Sequence, residues 1–162
     1  MQLLKLTVLS SLLFAFAVSF ISCEKDSERA KVLVYTKSDI TMTGAQSVPA
    51  SNSGALGSLN VTYNKTSKIL SYTFNWTGLS APPSKIYIYG PAPTGYGSTT
   101  IKQTVLSAAN PALYPASGSF TGSVYVDDVL IIEQELLNYL YYVSIITPLY
   151  PQGEIRGQIR FQ

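Results

Sequence analysis

Tyr141-Tyr142-Val143-Ser144-Ile145-Ile146-Thr147, a break at Pro148-Leu149-Tyr150-Pro151-Gln152, then Gly153-Glu154-Ile155-Arg156-Gly157-Gln158-Ile159-Arg160-Phe161: the reading of this stretch decides the fold. It reads as a β-hairpin. The break carries two prolines and leads into a glycine, residues that a central strand does not accommodate. The strand after it alternates. Ile155, Ile159 and Phe161 point to one side, and Glu154, Arg156, Gln158 and Arg160 to the other. Gly157 falls on the apolar side, where a missing side chain lets another part of the chain come close. On this pattern Glu154 and Arg156 are a same-face ion pair beside water, a surface feature and not a catalytic one.

The same period of two runs upstream. Val32-Leu33-Val34-Tyr35 begins a first strand that continues through Ile40 and Met42, and residues 44–49 break it. Leu59, Val61 and Tyr63 alternate with polar residues, as do Leu70, Tyr72, Phe74 and Trp76, with a turn at Asn64-Lys65-Thr66-Ser67 between them. That is a second hairpin, with Trp76 in the core. Ile86-Tyr87-Ile88-Tyr89 is a short strand bracketed by Pro82-Pro83 and Gly90-Pro91, and further strands fall at 101–106 and 120–126. Val129, Leu130, Ile132, Leu136 and Leu137 recur at helical spacing after Asp127-Asp128, which predicts one short capped helix with Glu133 and Glu135 facing water. Short strands with a turn every 8–12 residues predict an all-β fold, an antiparallel Greek-key β-sandwich of the immunoglobulin-like or Cu,Zn superoxide dismutase-like kind with one short helix.

Composition narrows the function classes. The chain has 162 residues, of which 46% are hydrophobic and only 12% charged. It is long enough for one domain with a core. Without Lys5 the chain carries ten basic and nine acidic residues, and no Lys/Arg cluster, so no nucleic-acid partner is expected. There is no histidine, which removes the usual general base and the commonest metal ligand. There is one cysteine, Cys23, so neither an internal disulfide nor a cysteine metal site can form.

Residues 1–22 read as a secretion leader: Lys5 supplies the positive start, and an uncharged apolar run from Leu6 to Ile21 is shorter than a membrane span requires. It ends Phe20-Ile21-Ser22-Cys23, which resembles the lipobox of bacterial lipoproteins, where the cysteine becomes the lipid-bearing first residue. The alternative is an ordinary leader with an incidental cysteine. Residues 23–31 carry the densest charge in the chain and read as a lipidated, solvated tether, leaving 32–162 as the domain. Acidic residues just after the cysteine also resemble a surface-export signal of some Gram-negative lipoproteins. The expected location is therefore the cell envelope, lipid-anchored to the outer membrane or cell surface of a Gram-negative bacterium.

Pro151-x-Gly153-Glu154-Ile155-Arg156-Gly157-Gln158 after a Tyr-Val-x-Ile-x-Thr strand resembles the close of the chordin-type (CHRD) domain. Thr43-Gly44-Ala45-Gln46-Ser47-Val48-Pro49 is similar to its opening Gly-x-x-x-Val-Pro. Gly54-Ala55-Leu56-Gly57, Leu70-Ser71-Tyr72 and Gly78-Leu79-Ser80 resemble its next segments. Ile86-Tyr87-Ile88-Tyr89-Gly90-Pro91-Ala92 resembles its His-Ile-His-Gly-Pro-Ala. The resemblance covers residues 32–162. It implies a secreted or surface β-sandwich, with Gly153, Glu154, Arg156 and Gly157 as structural motif positions, and it defines no bacterial activity. The family's histidine pair, which also resembles the copper-site strand of Cu/Zn superoxide dismutase, falls on Tyr87 and Tyr89. Its third histidine falls on Ile146. Phenols bind metals poorly and isoleucine not at all, so no metal and no other cofactor is expected.

What remains is a non-catalytic binding or adhesion module, with a purely structural lipoprotein and a divergent enzyme as alternatives. Tyr87 and Tyr89 share a strand face opposite Ile86 and Ile88, and Tyr96 and Tyr150 sit in Gly/Pro-rich loops. These four form the candidate binding face for a glycan or an envelope protein partner, tyrosine offering an apolar ring and a polar tip at little entropic cost. The competing reading is that the rings pack beneath Gly95-Tyr96-Gly97.

Overall fold

The computed structural model describes residues 32–107 and 114–161, so the leader, Cys23 and the tether lie outside the described residues. The strands are β1 (Val34–Thr43), β2 (Leu56–Asn64), β3 (Ile69–Thr77), β4 (Lys85–Tyr89), β5 (Ile101–Ser107), β6 (Gly118–Tyr125), β7 (Tyr142–Ile146) and β8 (Ile155–Gln158). They form one antiparallel sheet in the order β5-β4-β7-β8-β1-β2-β3-β6. β6 returns to lie beside β3, and β7 beside β4, the return connections of a Greek key. The expected all-β antiparallel class holds. The two faces are halves of one rolled, nearly closed sheet, joined where Thr43 of β1 pairs with Arg156 of β8.

The period of two builds the core. Leu59, Val61 and Tyr63 from β2 and Leu70, Tyr72, Phe74 and Trp76 from β3 are all buried. From the other half, Ile86, Ile88, Val143, Ile145 and Ile155 join the same cluster. Tyr72 and Phe74 stack at 4.8 Å, and Trp76 donates its indole N–H to the Pro115 carbonyl at 2.9 Å. Met42 fills the joint between the halves. A Cβ on Gly157 would lie 2.6 Å from Met42 Cγ, so glycine there admits a side chain from β1.

The short helix, α1, spans Glu133–Leu137, later than the apolar spacing suggests. Asp127 instead accepts the amides of Val129, Leu130 and Ile131, closing a loop whose Val129 and Leu130 are exposed. Asp128 accepts the Glu133 amide at the helix start. Glu133 and Glu135 do not simply face water: the Tyr63 hydroxyl donates to Glu133 at 2.7 Å, and the Tyr141 hydroxyl donates to Glu135. Burial, reinforced by these carboxylates, pushes both phenols well above the ordinary tyrosine range.

Trp76→Ala removes a side chain only 3% exposed, on β3 between its pairing partners Gly57 of β2 and Gly118 of β6. The expected loss is about 3–5 kcal/mol in chemical denaturation, and a change within error would place the ring outside the core.

Candidate functional site

β8 departs from the expected pattern. Its apolar residues are buried, but so are its polar ones: Glu154 is 0% exposed, Arg156 3% and Gln158 2%. Alternation separates two faces of a strand, and it carries no sign that loops roof the second face. Residues 44–54 and 92–100 form that roof. Glu154 and Arg156 are not the predicted ion pair beside water; each has its own set of neutral partners.

Glu154 is held by hydroxyls and one amide. Oε1 accepts from Ser53 Oγ at 2.7 Å and from the Ser80 amide at 2.8 Å. Oε2 accepts from Ser80 Oγ at 2.7 Å and Thr147 Oγ1 at 2.6 Å. Its carbonyl accepts from Ser51 Oγ at 2.6 Å. Burial alone would raise the carboxyl; the bonds from Thr147, Ser53 and Ser80 outweigh it and hold the group below the ordinary carboxylate value.

Arg156 donates through Nη1 to the Tyr96 carbonyl at 2.7 Å, and through Nη2 to Gln158 Oε1 at 2.8 Å and more distantly to the Pro93 carbonyl. Its guanidinium lies 3.5 Å from the centre of the Tyr142 ring. Burial draws it below the usual arginine value. Among the described residues no acidic side chain comes within ion-pair distance of it.

Tyr142 continues into an aromatic ladder. Tyr89 stacks on it at 5.4 Å, and Tyr87 meets Tyr89 edge-on at 5.5 Å. The Tyr142 hydroxyl donates to the Ser98 carbonyl and accepts the Ser98 amide. Between this ladder and the roof lies a cleft of about 470 Å³, bounded by Tyr89, Tyr142, Arg156, Ser144, Ser47 and the 97–99 segment.

The candidate tyrosines are therefore divided. Tyr89 lines the cleft and Tyr87 supports it from the side; both are half-buried above Ile86 and Ile88, which are core. Tyr96 contributes its carbonyl to Arg156 while its ring is 68% exposed. Tyr150 does not line the cleft, although Pro151 and Gln152 beside it do. Gly153, next in the chain, has φ 122°, and a Cβ on it would come 2.5 Å from Ser144 Oγ. Sequence reasoning passed over Tyr142, Ser144 and Ser47. Parity could have found the first two, since they share a face with Ile146, where the resemblance sets a histidine. The register confirms that shared face: Tyr87 opposes Ser144, Tyr89 opposes Tyr142 and Lys85 opposes Ile146. Among the described residues no three His, Cys, Asp or Glu side chains converge.

A family model described as CHRD domain matches residues 39–159. No curated protein and no solved structure matches the chain.

Because folding lowers the Glu154 pKa, its contribution to stability is present above the ordinary value of 4.5 and is lost as pH falls through the folded value below it. Glu154→Gln is expected to cost about 2–4 kcal/mol near neutral pH and to flatten that acid limb in pH-resolved melting curves. An unchanged acid limb would remove Glu154 as its origin.

Proposed function

The chain belongs to the CHRD-domain family, and on that premise we propose that it is a non-catalytic binding module of the cell envelope, held to a membrane by a lipid on Cys23 and taking a glycan in the cleft beside Tyr89. The observation that carries this reading is the cleft itself, an aromatic wall over a buried cation that no acid among the described residues neutralises. Its volume is in the range of small-ligand sites, and its lining mixes ring faces with a few convergent polar groups. Tyrosine walls suit the apolar faces of sugars, and the hydroxyl-bearing segment at 97–99 suits their edges.

The non-catalytic part of the reading is supported by what the chain offers chemistry. It has no histidine. Both Glu154 oxygens are occupied by structural hydrogen bonds, and the Tyr63 and Tyr141 phenols are held neutral far above physiological pH. The anchor is supported by the lipobox-like Phe20-Ile21-Ser22 before the sole cysteine.

Replacing Tyr87 and Tyr89 together by leucine keeps apolar bulk and removes the aromatic wall. Retention on immobilised envelope polysaccharide is expected to weaken about tenfold, with the melting temperature moving only a few degrees. Retention equal to the parent's would sink the cleft as the glycan site; binding that survives only with an envelope protein would move the ligand to that class. Separately, Cys23→Ser is expected to shift the chain out of the membrane fraction or leave it unprocessed. A variant that fractionates and migrates like the parent would show that Cys23 carries no lipid.

A further inference from the structure

Arg156 is a buried cation without an anionic partner among the described residues. Guanidinium groups removed from water are ordinarily matched by a carboxylate, because carbonyl oxygens carry only partial charge. Here the three hydrogen bonds formed by Arg156 all go to neutral acceptors, and its Nε makes none among the described residues, out of five N–H groups in all. Ser144 pairs directly across from Arg156 in the β7–β8 ladder, which brings their side chains together on the roofed face. The Ser144 hydroxyl makes no hydrogen bond among the described residues either. Ser47 Oγ, in a residue only 5% exposed, is a buried polar atom with no partner. Both hydroxyls converge on Gly153: a Cβ there would lie 2.5 Å from Ser144 Oγ and 3.8 Å from Ser47 Oγ. A cation and two unused hydroxyls thus line one cleft, next to a glycine on which a Cβ would crowd the Ser144 hydroxyl.

We infer that the cleft takes a carboxylate carried on a sugar ring, a uronic-acid-type residue, with the carboxylate against the Nε edge of Arg156 and the Ser144 hydroxyl. The inference rests on the glycan-binding reading and names the chemistry of its ligand. One guanidinium matches one negative charge, which favours a monoanion over a phosphate dianion. The sugar body lies along Tyr89, which lines the same cleft.

Calorimetric titration of the full chain, purified in detergent, with glucuronate, glucose, acetate and inorganic phosphate separates the parts of the proposal. Glucuronate is expected to bind at least about tenfold tighter than glucose, with an affinity that falls as sodium chloride rises. Arg156→Gln should abolish the preference. Because Arg156 also holds the Pro93 and Tyr96 carbonyls, that variant can fail to fold, so Ser144→Ala is the second probe. It should weaken glucuronate several-fold and leave glucose unchanged. Equal binding of glucose and glucuronate overturns the carboxylate and leaves the glycan site standing. Acetate binding as tightly as glucuronate overturns the sugar and points to an acidic peptide. Phosphate binding tighter than glucuronate overturns the monoanion. No binding by either sugar overturns this inference, while the polysaccharide retention of the leucine variant decides the broader reading independently.

Discussion

The 44–54 side of the cover over the second face of β4, β7 and β8 depends on one carboxylate, Glu154, with no accessible surface and no counter-ion among the described residues. Removing a charge from water is costly unless hydrogen bonds replace the solvent. Around Glu154 they come from Ser53, Ser80 and Thr147, three separate stretches of chain. The 51–53 segment therefore cannot lift away without stranding the charge. Ser51 adds a bond from its amide to the Gly44 carbonyl and from its hydroxyl to the Glu154 carbonyl. The 44–54 loop, which brings Ser47 and Val48 to the cleft, is thus closed on Gly44 and anchored to Glu154 through Ser51 and Ser53.

Arg156 fixes the opposite lip by the same means. Its bonds to the Pro93 and Tyr96 carbonyls, with Gln158 reaching the Ala92 carbonyl, hold the loop that carries Gly97 to Thr99. Two opposite charges two residues apart on one strand could have neutralised each other, and had they done so neither would hold a loop. Their separation lets the Glu154–Gln158 stretch brace both lips of a cleft, and on the proposed reading it leaves the guanidinium to a ligand. A site whose walls are fixed before binding loses little entropy on closure.

How much of this was legible follows from what a period of two encodes. It encodes which side chains share a face, so β2, β3, the Ile86/Ile88 face and the apolar side of β8 could be read directly. It does not encode what covers a face. Glu154 and Arg156 were assigned to water because charged residues on an alternating strand usually are there. The roof is built by loops whose sequence is serine, glycine and proline, residues that announce a turn but not where it folds back. The helix start was misplaced for a related reason: Asp127 satisfies amides in a loop, a use of aspartate that competes with capping.

The resemblance sets histidines at Tyr87, Tyr89 and Ile146, and the proposed reading is a different ligand class on the same fold. Tyr87, Tyr89 and Ile146 lie on one side of the β4–β7 ladder, within the register that also carries Ser144 and Tyr142. Imidazoles there could share a cation, and the positive charge would sit on β4. Phenols in the same places pack into a ladder instead, edge-on at Tyr87 and stacked at Tyr89 and Tyr142. The ladder ends on the guanidinium of Arg156, a positive charge on β8, two strands over from β4. A guanidinium attracts an anion and directs its geometry, but it remains protonated and has no open coordination position to offer a reacting atom. On the proposed reading, this face holds an anionic group between ring and cation.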